Sequence, residues 1–308
     1  MSDGARERKK IWALLRLSRP QFLLPGLLLF LLGSLLARGD PTGPDAGRFA
    51  LGYLIFLLAQ ISLSYSNDYF DQEVDAANTP SVLSGGSGVL NKNPEYARAA
   101  LCISWSLICL AMVAAFAFQI TFNMPWYFLP FVLFGALLGY FYAAPPLRLS
   151  YRGLGEVSTV LAAGLVMPGM GYMVVNGGLD LKFMITCLPL FGFVGFFILS
   201  VEMPDLKGDQ AGGKVNLMVR MGLRRGAAIS FICVSLSTLI WSILTLLGEY
   251  WELELSTLMM VCAIPIAASF TGLFLKTYDR RKVIRQVKLN VGSLVILLVL
   301  VNLFMLLR

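Results

Sequence analysis

Apolar runs of about twenty residues recur along the whole chain, and short polar or glycine- and proline-containing breaks separate them. A helix of about 20 residues crosses a hydrocarbon core of about 30 Å. We therefore predict nine membrane-spanning helices, with approximate bounds 21–38, 49–67, 98–120, 125–145, 154–176, 182–202, 225–247, 255–276 and 289–307. The clearest breaks are DPTGPDAG (40–47), FNMPW (122–126), NGG (176–178) and EYWELEL (249–255).

The composition agrees with this pattern. Hydrophobic residues make up 57% of the 308 positions and charged residues only 14%, against roughly 25% charged in soluble domains. Histidine is absent, which excludes mechanisms that need an imidazole base or ligand. The five cysteines lie within apolar runs and match neither a metal site nor a disulfide framework. The predicted fold is an all-α membrane bundle that forms one domain over residues 1–308.

Basic residues lie almost entirely on one side of the predicted bundle. The N-terminal tail and the loops after the second, fourth, sixth and eighth spans hold 21 of the 25 lysines and arginines. The positive-inside rule makes this side cytoplasmic, so residues 1–18 form a basic cytoplasmic tail. Topology accounts for the net charge of +7, and no nucleic-acid partner is needed to explain it. In a bacterium the protein would lie in the inner (plasma) membrane.

Acidic residues cluster where the second apolar run ends, in SYSNDYFDQEVDAANTP (64–80). On a helix, Asp68, Asp71 and Asp75 fall within about 60° of arc, with Asn67 beside Asp71 and Glu73 pointing away. Three carboxylates and an amide therefore share one face at a membrane boundary. A solvated helix end is the structural alternative for a single cluster of this kind.

The same acid spacing returns about 134 residues later, at the end of the sixth span. Glu202, Asp205 and Asp209 repeat the spacing of the first cluster, which suggests an internal duplication around 67–75 and 201–209. Pro204 and Gly208 are expected to interrupt the second helix. We expect the two clusters to face each other across a polar cavity that opens toward the cytoplasm.

Opposed carboxylates indicate a bound cation. Two unit charges about 4 Å apart repel by on the order of 4 kcal/mol at an effective dielectric of 20, so cations must lie between them. Oxygen donors without histidine or cysteine favour Mg²⁺, and Mg²⁺ held by few carboxylates usually bridges to phosphate. The pattern therefore predicts a diphosphate substrate at the membrane surface.

Three segments resemble the UbiA-type intramembrane prenyltransferases. NDYFDQEVD (67–75) is similar to the first aspartate motif of that superfamily, and DLKGDQAGGKVNLMVRMG (205–222) is similar to the second. YAAPPLRLSYRGLGE (142–156) resembles the loop between the fourth and fifth spans. SGGSGVL (84–90) and YRGLGE (151–156) are most similar to 1,4-dihydroxy-2-naphthoate prenyltransferases, whereas YAAPPLRL is also similar to chlorophyll synthases.

The resemblance implies Mg²⁺-dependent transfer of a polyprenyl group from its diphosphate to an aromatic acceptor within the bilayer. The implied acceptor belongs to a quinone pathway, such as 1,4-dihydroxy-2-naphthoate of menaquinone biosynthesis. The implied catalytic and metal-binding residues are Asn67, Asp68, Asp71, Asp75, Asp205 and Asp209, with Glu202 as an additional metal candidate. The implied substrate-binding residues are Asn67, Tyr142, Arg148, Lys207 and Lys214. The glycine-rich segment GGSG (85–88) is either a lid over the diphosphate or a flexible connector.

Several alternatives remain open at this point. The acceptor could be chlorophyllide-, 4-hydroxybenzoate- or homogentisate-like. A membrane transporter with a one-sided acidic cluster is an alternative from another class, although transporters usually place key charges near the midplane. A metal-dependent lipid phosphatase or alcohol phosphotransferase would use similar chemistry with water or an alcohol as acceptor.

Overall fold

The computed structural model describes residues 3–37, 45–78, 83, 86–248, 254–275 and 277–307, with all of their side chains except those of residues 3–7. All regular structure over these residues is helical, and they form no strand. The helices are α1 (Asp3–Leu17), α2 (Leu23–Leu36), α3 (Ala46–Phe70), α4 (Gln72–Ala77), α5 (Val89–Lys92), α6 (Ala97–Thr121), α7 (Phe128–Ala143), α8 (Gly155–Leu161), α9 (Met167–Asn176), α10 (Leu181–Thr186), α11 (Leu188–Glu202), α12 (Leu206–Ala211), α13 (Leu217–Leu246), α14 (Leu255–Gly272) and α15 (Arg280–Leu306). A π-helical turn (Ala162–Val166) joins α8 to α9.

Eight helical runs within the described residues are long and apolar enough to cross a membrane. The shorter apolar helix α7 lies where the fourth span is predicted. Each of the nine predicted spans thus falls on a helix, and the prediction of an all-helical membrane bundle is confirmed.

Helix ends differ from the predicted span edges where the first or last turn is polar. The seventh span, predicted from 225, falls within α13, which is kinked at Gly222 (φ 78°, ψ 165°), so a short helical segment from Leu217 precedes the span. The ninth span, predicted from 289, belongs to a helix that begins at Arg280. Hydropathy does not detect the first turns of α15, because many of their side chains are charged while their backbone stays helical. Residues 40–44, in the break after the first span, and residues 249–253, in the break after the seventh span, lie outside the described residues. Arg38, Lys276 and Arg308 do so as well.

Contacts between loops group them into two opposite ends, as the alternating topology requires. At one end, the Tyr151 hydroxyl donates to Asp71 Oδ1 at 2.7 Å, and the Tyr278 hydroxyl donates to the Pro204 carbonyl at 2.6 Å. At the other end, the Leu179 N–H donates to the Tyr127 hydroxyl at 3.0 Å. Among the described residues, the loop after the second span thus meets the loop after the fourth, the loop after the sixth meets the loop after the eighth, and the loop after the third meets the loop after the fifth.

Two apolar clusters fix the helices that carry the acidic motifs. One cluster surrounds Trp241 and includes Phe193 and Phe196 of α11. The other surrounds Phe128 and includes Phe56 of α3. Close side-chain packing holds such helices together in a bilayer, because lipid is as apolar as the helix surface. Each acidic motif therefore lies at the end of a helix whose position is set by tight packing.

Candidate active site

The first acidic motif spans a break between two helices. Helix α3 ends at Phe70, Asp71 has φ −93° and ψ 7°, and α4 continues to Ala77. The Asp71 N–H donates to the Asn67 carbonyl, and the Asp75 N–H to the Asp71 carbonyl, at 2.9 and 2.8 Å. The backbone therefore stays close to helical through Asp71. However, α3 and α4 do not form the single continuous helix from which the shared acidic face was predicted.

The second motif has the same construction. Helix α11 ends at Glu202, a turn follows over residues 203–205, and α12 begins at Leu206. Pro204 lies in that turn and has no N–H to continue the helical ladder. The expected interruption at Pro204 is confirmed, whereas Gly208 lies inside α12. Both motifs thus consist of a long span, a turn and a six-residue helix.

The two short helices α4 and α12 pack against each other through glycine. A Cβ atom built on Gly212 would lie 2.5 to 3.0 Å from the side chain of Val74, and one on Gly208 would collide with the Asn78 amide. Asn78 Nδ2 reaches Asp209 Oδ1 at 3.5 Å. Because α12 presents backbone rather than side chains here, the two acidic motifs come together.

A cavity of about 370 Å³ lies where the motifs meet. Its lining carries five acidic side chains and, among the described residues, only two basic ones, Arg19 and Lys214. The acidic lining residues are Asp71, Asp75, Glu202, Asp205 and Asp209. Asn67 and Tyr142 also line it, so most of the predicted site residues share one cavity.

Lys214 connects the two motifs directly. Its Nζ lies 2.7 Å from Asp71 Oδ2 and 4.0 Å from Asp209 Oδ1, and its side chain is only 11% exposed. Burial lowers the pKa of Lys214, but the charges of Asp71 and then Asp209 outweigh burial and raise it. Lys214 is therefore a largely shielded cation shared by two carboxylates from different halves of the chain.

Arg19 neutralises the remaining aspartate of the first motif. It forms an ion pair with Asp68, which also accepts hydrogen bonds from the hydroxyl and N–H of Ser87. Arg19 has φ 48° and ψ 63°, a left-handed conformation that is strained for a residue with a side chain. The following Pro20 disfavours the right-handed helical alternative. Asp68 does not line the cavity and instead holds Arg19 and the loop around Ser87 in place.

Gly86 closes this loop onto the first motif. Its φ is +64°, and a Cβ atom there would collide with the Asp75 carboxylate. Burial raises the pKa of Asp75 to about 7 against the opposing charge of Arg19. The residues between Asn78 and Gly86 are described only at Leu83, so Gly85 of the glycine-rich segment GGSG (85–88) lies outside the described residues.

Two predicted phosphate-binding cations lie away from the cavity lining. Arg148 stacks its guanidinium on the Tyr151 ring, 3.9 Å from the centroid, and Lys207 lies 4.8 Å from the centroid of the Tyr278 ring. Arg148 is linked to the site through Tyr151, whose hydroxyl donates to Asp71. Burial, and then the charge of Asp71, raise the pKa of Tyr151 to about 12, so this phenol stays protonated as a donor.

The rest of the cavity is apolar. Helix α2 contributes Pro25 and Leu29, and α11 contributes Phe193, Val194 and Phe197. Helix α15 completes the wall with Val291, Leu294, Val295, Leu297 and Leu298. A polar, acidic end thus opens into a long hydrocarbon-like pocket, which suits a molecule with a charged head and an isoprenoid tail.

The cavity offers only oxygen donors for a metal ion. Asn67 Oδ1 and both oxygens of Glu202 are buried without a hydrogen-bond partner, and the acids outnumber the bases. Oxygen donors in negative excess fit Mg²⁺. In the described part of the chain, no three acidic, histidine or cysteine side chains are gathered as a metal site. Lys214 lies between Asp71 and Asp209.

Several site residues were not predicted from sequence. From the sequence alone, neither Arg19 nor Tyr151 is assigned to the site, since Arg19 is counted among the basic residues that set the topology and Tyr151 lies within a motif. Asn216 donates to Asp209 Oδ2 at 2.8 Å, and Gln60 lines the cavity from within α3. An arginine before a proline, or a tyrosine in a proline-containing loop, does not indicate a role in the site from its sequence alone. The fold is needed to identify these four residues.

Comparison with known proteins identifies what the chain resembles. The model of the UbiA prenyltransferase family matches residues 26–305. The chain is 27% identical over 274 residues to digeranylgeranylglyceryl phosphate synthase of Korarchaeum cryptofilum, which covers 87% of this chain and 88% of that protein. It is 25% identical over 208 residues to 1,4-dihydroxy-2-naphthoate octaprenyltransferase of Bacillus subtilis, which covers 67% and 65% respectively.

A solved structure has the same fold. A UbiA homologue from Archaeoglobus fulgidus, bound to GPP and Mg²⁺, superposes with a TM-score of 0.65 over 94% of this chain and 99% of that chain. The two sequences are 18% identical, so this likeness concerns the fold alone.

Proposed function

Because the chain belongs to the UbiA prenyltransferase family and is a multi-pass membrane enzyme that transfers prenyl groups, we propose the following specific reaction. The enzyme moves a polyprenyl group from its diphosphate to an aromatic quinone-pathway acceptor, such as 1,4-dihydroxy-2-naphthoate. Mg²⁺ is the proposed cofactor. The naphthoate octaprenyltransferase named above supports this acceptor.

One observation carries the proposal. Acidic residues from two motifs 134 residues apart line the same cavity, and that cavity continues between apolar helices. A polyprenyl diphosphate has the matching shape, with a highly charged head and a hydrocarbon tail. A solvated acidic helix end would show neither the convergence nor the apolar extension.

The metal-binding residues proposed here fall into two sets. Asn67, Asp71 and Asp75 form one, and Asp205 with Asp209 forms the other. When bound, Mg²⁺ spreads the charge of the leaving diphosphate and so eases cleavage of the C–O bond. Asp68 pairs with Arg19 and accepts a hydrogen bond from Ser87, so it is proposed to hold the residues of the first set in position.

Other residues of the chain bind, orient and exclude water. Lys214 and Arg19 are the described basic residues of the lining, so we assign them to the diphosphate oxygens. Phe193 and Phe197 line the cavity and can stabilise a positive prenyl carbon with their ring faces. Arg148 and Lys207, which lie outside the lining, are proposed to attract the diphosphate from the surface.

A glycerophosphate acceptor is the second candidate, because the Korarchaeum relative carries that activity in its name. Such an acceptor would bring an additional phosphate into the cavity. Among the described residues, only Arg19 and Lys214 could neutralise it there, and both already pair with aspartates. The charge balance therefore favours the aromatic acceptor.

The site is proposed to face the cytoplasm. Basic residues concentrate at the end of the bundle that carries both acidic motifs. A soluble diphosphate product would then be released into the cytoplasm.

The proposal is tested with purified protein in detergent. Mg²⁺, geranylgeranyl diphosphate and either 1,4-dihydroxy-2-naphthoate or geranylgeranylglyceryl phosphate are supplied, and prenylated product and diphosphate are quantified. We expect product with the naphthoate, none with EDTA, and none from Asp71→Ala or Asp205→Ala. Glu73→Ala is the matched control, because Glu73 is an exposed acid of α4. Activity that survives EDTA or either aspartate substitution contradicts the proposal.

A further inference from the structure

Gln60 is a polar side chain on the cavity-facing side of α3, deeper in the bundle than the acidic motif. It precedes Asn67 by seven residues, which places the two side chains about 20° apart around the helix and about 10 Å apart along its axis. Leu63 and Ser64, which lie between them in the chain, also line the cavity. Gln60 therefore reaches the part of the cavity that lies toward the membrane interior.

The amide of Gln60 is held in one orientation. Its Nε2 donates to the Phe22 carbonyl at 2.9 Å. The reverse orientation would bring two acceptor oxygens together, so this bond assigns the nitrogen and the oxygen of the amide. Oε1 is then buried and has no hydrogen-bond partner among the described residues. A buried acceptor without a donor is unfavourable, so this oxygen points to a ligand that supplies the donor.

Helix α2 provides the space that this amide occupies. A Cβ atom built on Gly26 would lie 2.3 Å from Gln60 Nε2 and 2.5 Å from Oε1. Gly26 also lines the cavity, so the contact lies at the cavity wall. The same segment of chain thus supplies both the carbonyl that orients the amide and the gap that admits it.

A second, smaller cavity of about 40 Å³ adjoins the main cavity at Gln60. Gln60, Leu63, Ala162 and Met167 line both cavities, and Gln60 is the polar member of an otherwise apolar set among the described lining residues of the smaller one. We call this smaller cavity the side pocket. Because a water-sized group needs at least about 10–15 Å³, the side pocket has room for about three such groups. It suits the apolar edge of a ring rather than a chain.

The prenyl substrate cannot supply a donor to Gln60. The ionised head of a polyprenyl diphosphate carries only acceptor oxygens, and its tail is hydrocarbon. The proposed aromatic acceptor differs, because it carries ring hydroxyls that donate. In a two-ring acceptor, the hydroxyls lie beside an apolar second ring, just as the Gln60 oxygen lies beside the apolar side pocket.

We propose that Gln60 Oε1 accepts a hydrogen bond from a ring hydroxyl of the acceptor, while the edge of the acceptor's second ring enters the side pocket. This inference rests on the proposed function, and it adds that the site selects two-ring over one-ring acceptors. Gln60 would position the acceptor and would not exchange a proton with it.

The first test compares Gln60→Leu with the wild type in steady-state kinetics with Mg²⁺, geranylgeranyl diphosphate and 1,4-dihydroxy-2-naphthoate. An unpaired hydroxyl should raise the KM for the naphthoate about 10-fold or more, whereas the KM for geranylgeranyl diphosphate should change less than about twofold. Gln119→Leu is the matched control, because Gln119 is a glutamine of α6 whose Oε1 accepts from the Leu129 N–H and which lies outside both cavities. It should leave both KM values unchanged.

The second test changes the ligand instead. The two monomethyl ethers of the naphthoate, each lacking one hydroxyl donor, are measured as competitive inhibitors. The wild type should bind one ether at least about 10-fold more weakly than the other, and Gln60→Leu should bind the two nearly equally. Two ethers that differ as much in Gln60→Leu as in the wild type would overturn the hydrogen bond.

The third test fills the side pocket. Ala136 lines the side pocket but not the main cavity, so Ala136→Val should weaken binding of the naphthoate and leave the inhibition constant of the one-ring analogue 2,5-dihydroxybenzoate unchanged. Equal weakening of both ligands would overturn the assignment of the second ring to this pocket.

The KM values separate recognition of the acceptor from a structural role of Gln60. An unchanged KM for the naphthoate in Gln60→Leu, or equal increases in both KM values, overturns the inference. If Gln60→Leu does not fold, Gly26→Ala takes its place, because the new Cβ displaces the amide without removing it, and it must raise the KM for the naphthoate alone. A wild type that forms no product from the naphthoate overturns the proposed function, and this inference with it.

Discussion

At the scale of single residues, the site is organised by two cations that are partly buried. Lys214 lies between Asp71 and Asp209, and Arg19 pairs with Asp68. Without them, several carboxylates would be buried close together and would repel strongly. The same two residues line the cavity, so the groups that stabilise the ligand-free site are also available to bind an anionic substrate.

The first prediction concerns Lys214→Met. Breaking a buried ion pair leaves an uncompensated charge and destabilises by about 3–5 kcal/mol, so the thermal unfolding temperature in detergent should fall clearly. Mg²⁺ should restore much of this loss, because it can neutralise the same carboxylates. Lys207→Met is the control, since Lys207 is exposed and its ammonium lies over the Tyr278 ring. Equal destabilisation by both substitutions would argue against the bridging role.

The second prediction concerns pH. Burial raises the pKa of Asp75 to about 7, so Asp75 is mostly protonated below that pH and charged above it. A metal ion must displace this proton, so Mn²⁺ affinity should rise from about pH 6 to about pH 8, by at most roughly tenfold per pH unit. Asp75→Asn should bind Mn²⁺ more weakly at pH 8 and lose this part of the pH dependence. A flat wild-type profile would exclude Asp75 as a ligand.

At the scale of secondary structure, two short helices bring the acids together. Both α4 and α12 have six residues, and each follows a long span after a turn. Helix α12 can approach α4 because Gly208 and Gly212 carry no side chains at their contact. The geometry of the cavity therefore depends on an apolar contact as much as on the acids themselves.

The third prediction is that Gly212→Ala reduces activity by separating α4 from α12. The new Cβ would lie within 3.0 Å of the branched side chain of Val74, which has little freedom to move. A displacement of about 1 Å at a catalytic constellation can reduce turnover on the order of 100-fold. Gly292→Ala is the control, because a Cβ there meets no atom within 4 Å. Wild-type activity of Gly212→Ala would show that the contact is adaptable.

At the scale of the whole molecule, the bundle places every loop of the site at one end. The repeated sequence of span, turn and short helix supports the proposal of an internal duplication within one domain. Each of these two units of span, turn and short helix is fixed by a different apolar cluster, and the cavity forms between the two units. Neither unit alone would enclose a diphosphate.

The fourth prediction tests orientation. In a cysteine-free background, Glu73→Cys reports the site end and Lys182→Cys the opposite end, and both positions are exposed. A membrane-impermeant thiol reagent applied to intact spheroplasts should label Lys182→Cys only. After permeabilisation, both variants should be labelled. The reverse pattern would place the active site outside the cytoplasm.

The sequence by itself determined the membrane-helical class, the approximate position of all nine apolar helices and the two acidic motifs. Hydropathy is a local property, and a repeated acid spacing is visible without any knowledge of the fold. Arg19, Tyr151 and Asn216 could not be assigned in this way, because their roles arise from contacts with Asp68, Asp71 and Asp209. Two of these three pairs lie far apart in the chain.

The tertiary structure also decided which predicted residues share the cavity. Asp71, Asp75, Asp205 and Asp209 line it, whereas Asp68, Arg148 and Lys207 do not. Likewise, only packing shows that the side-chain oxygen of Gln60 is buried without a hydrogen-bond partner where the two cavities meet. Residue type and spacing limit which chemistry a chain can perform. The approach of helices distant in sequence determines which side chains meet, and a linear pattern contains no record of that approach.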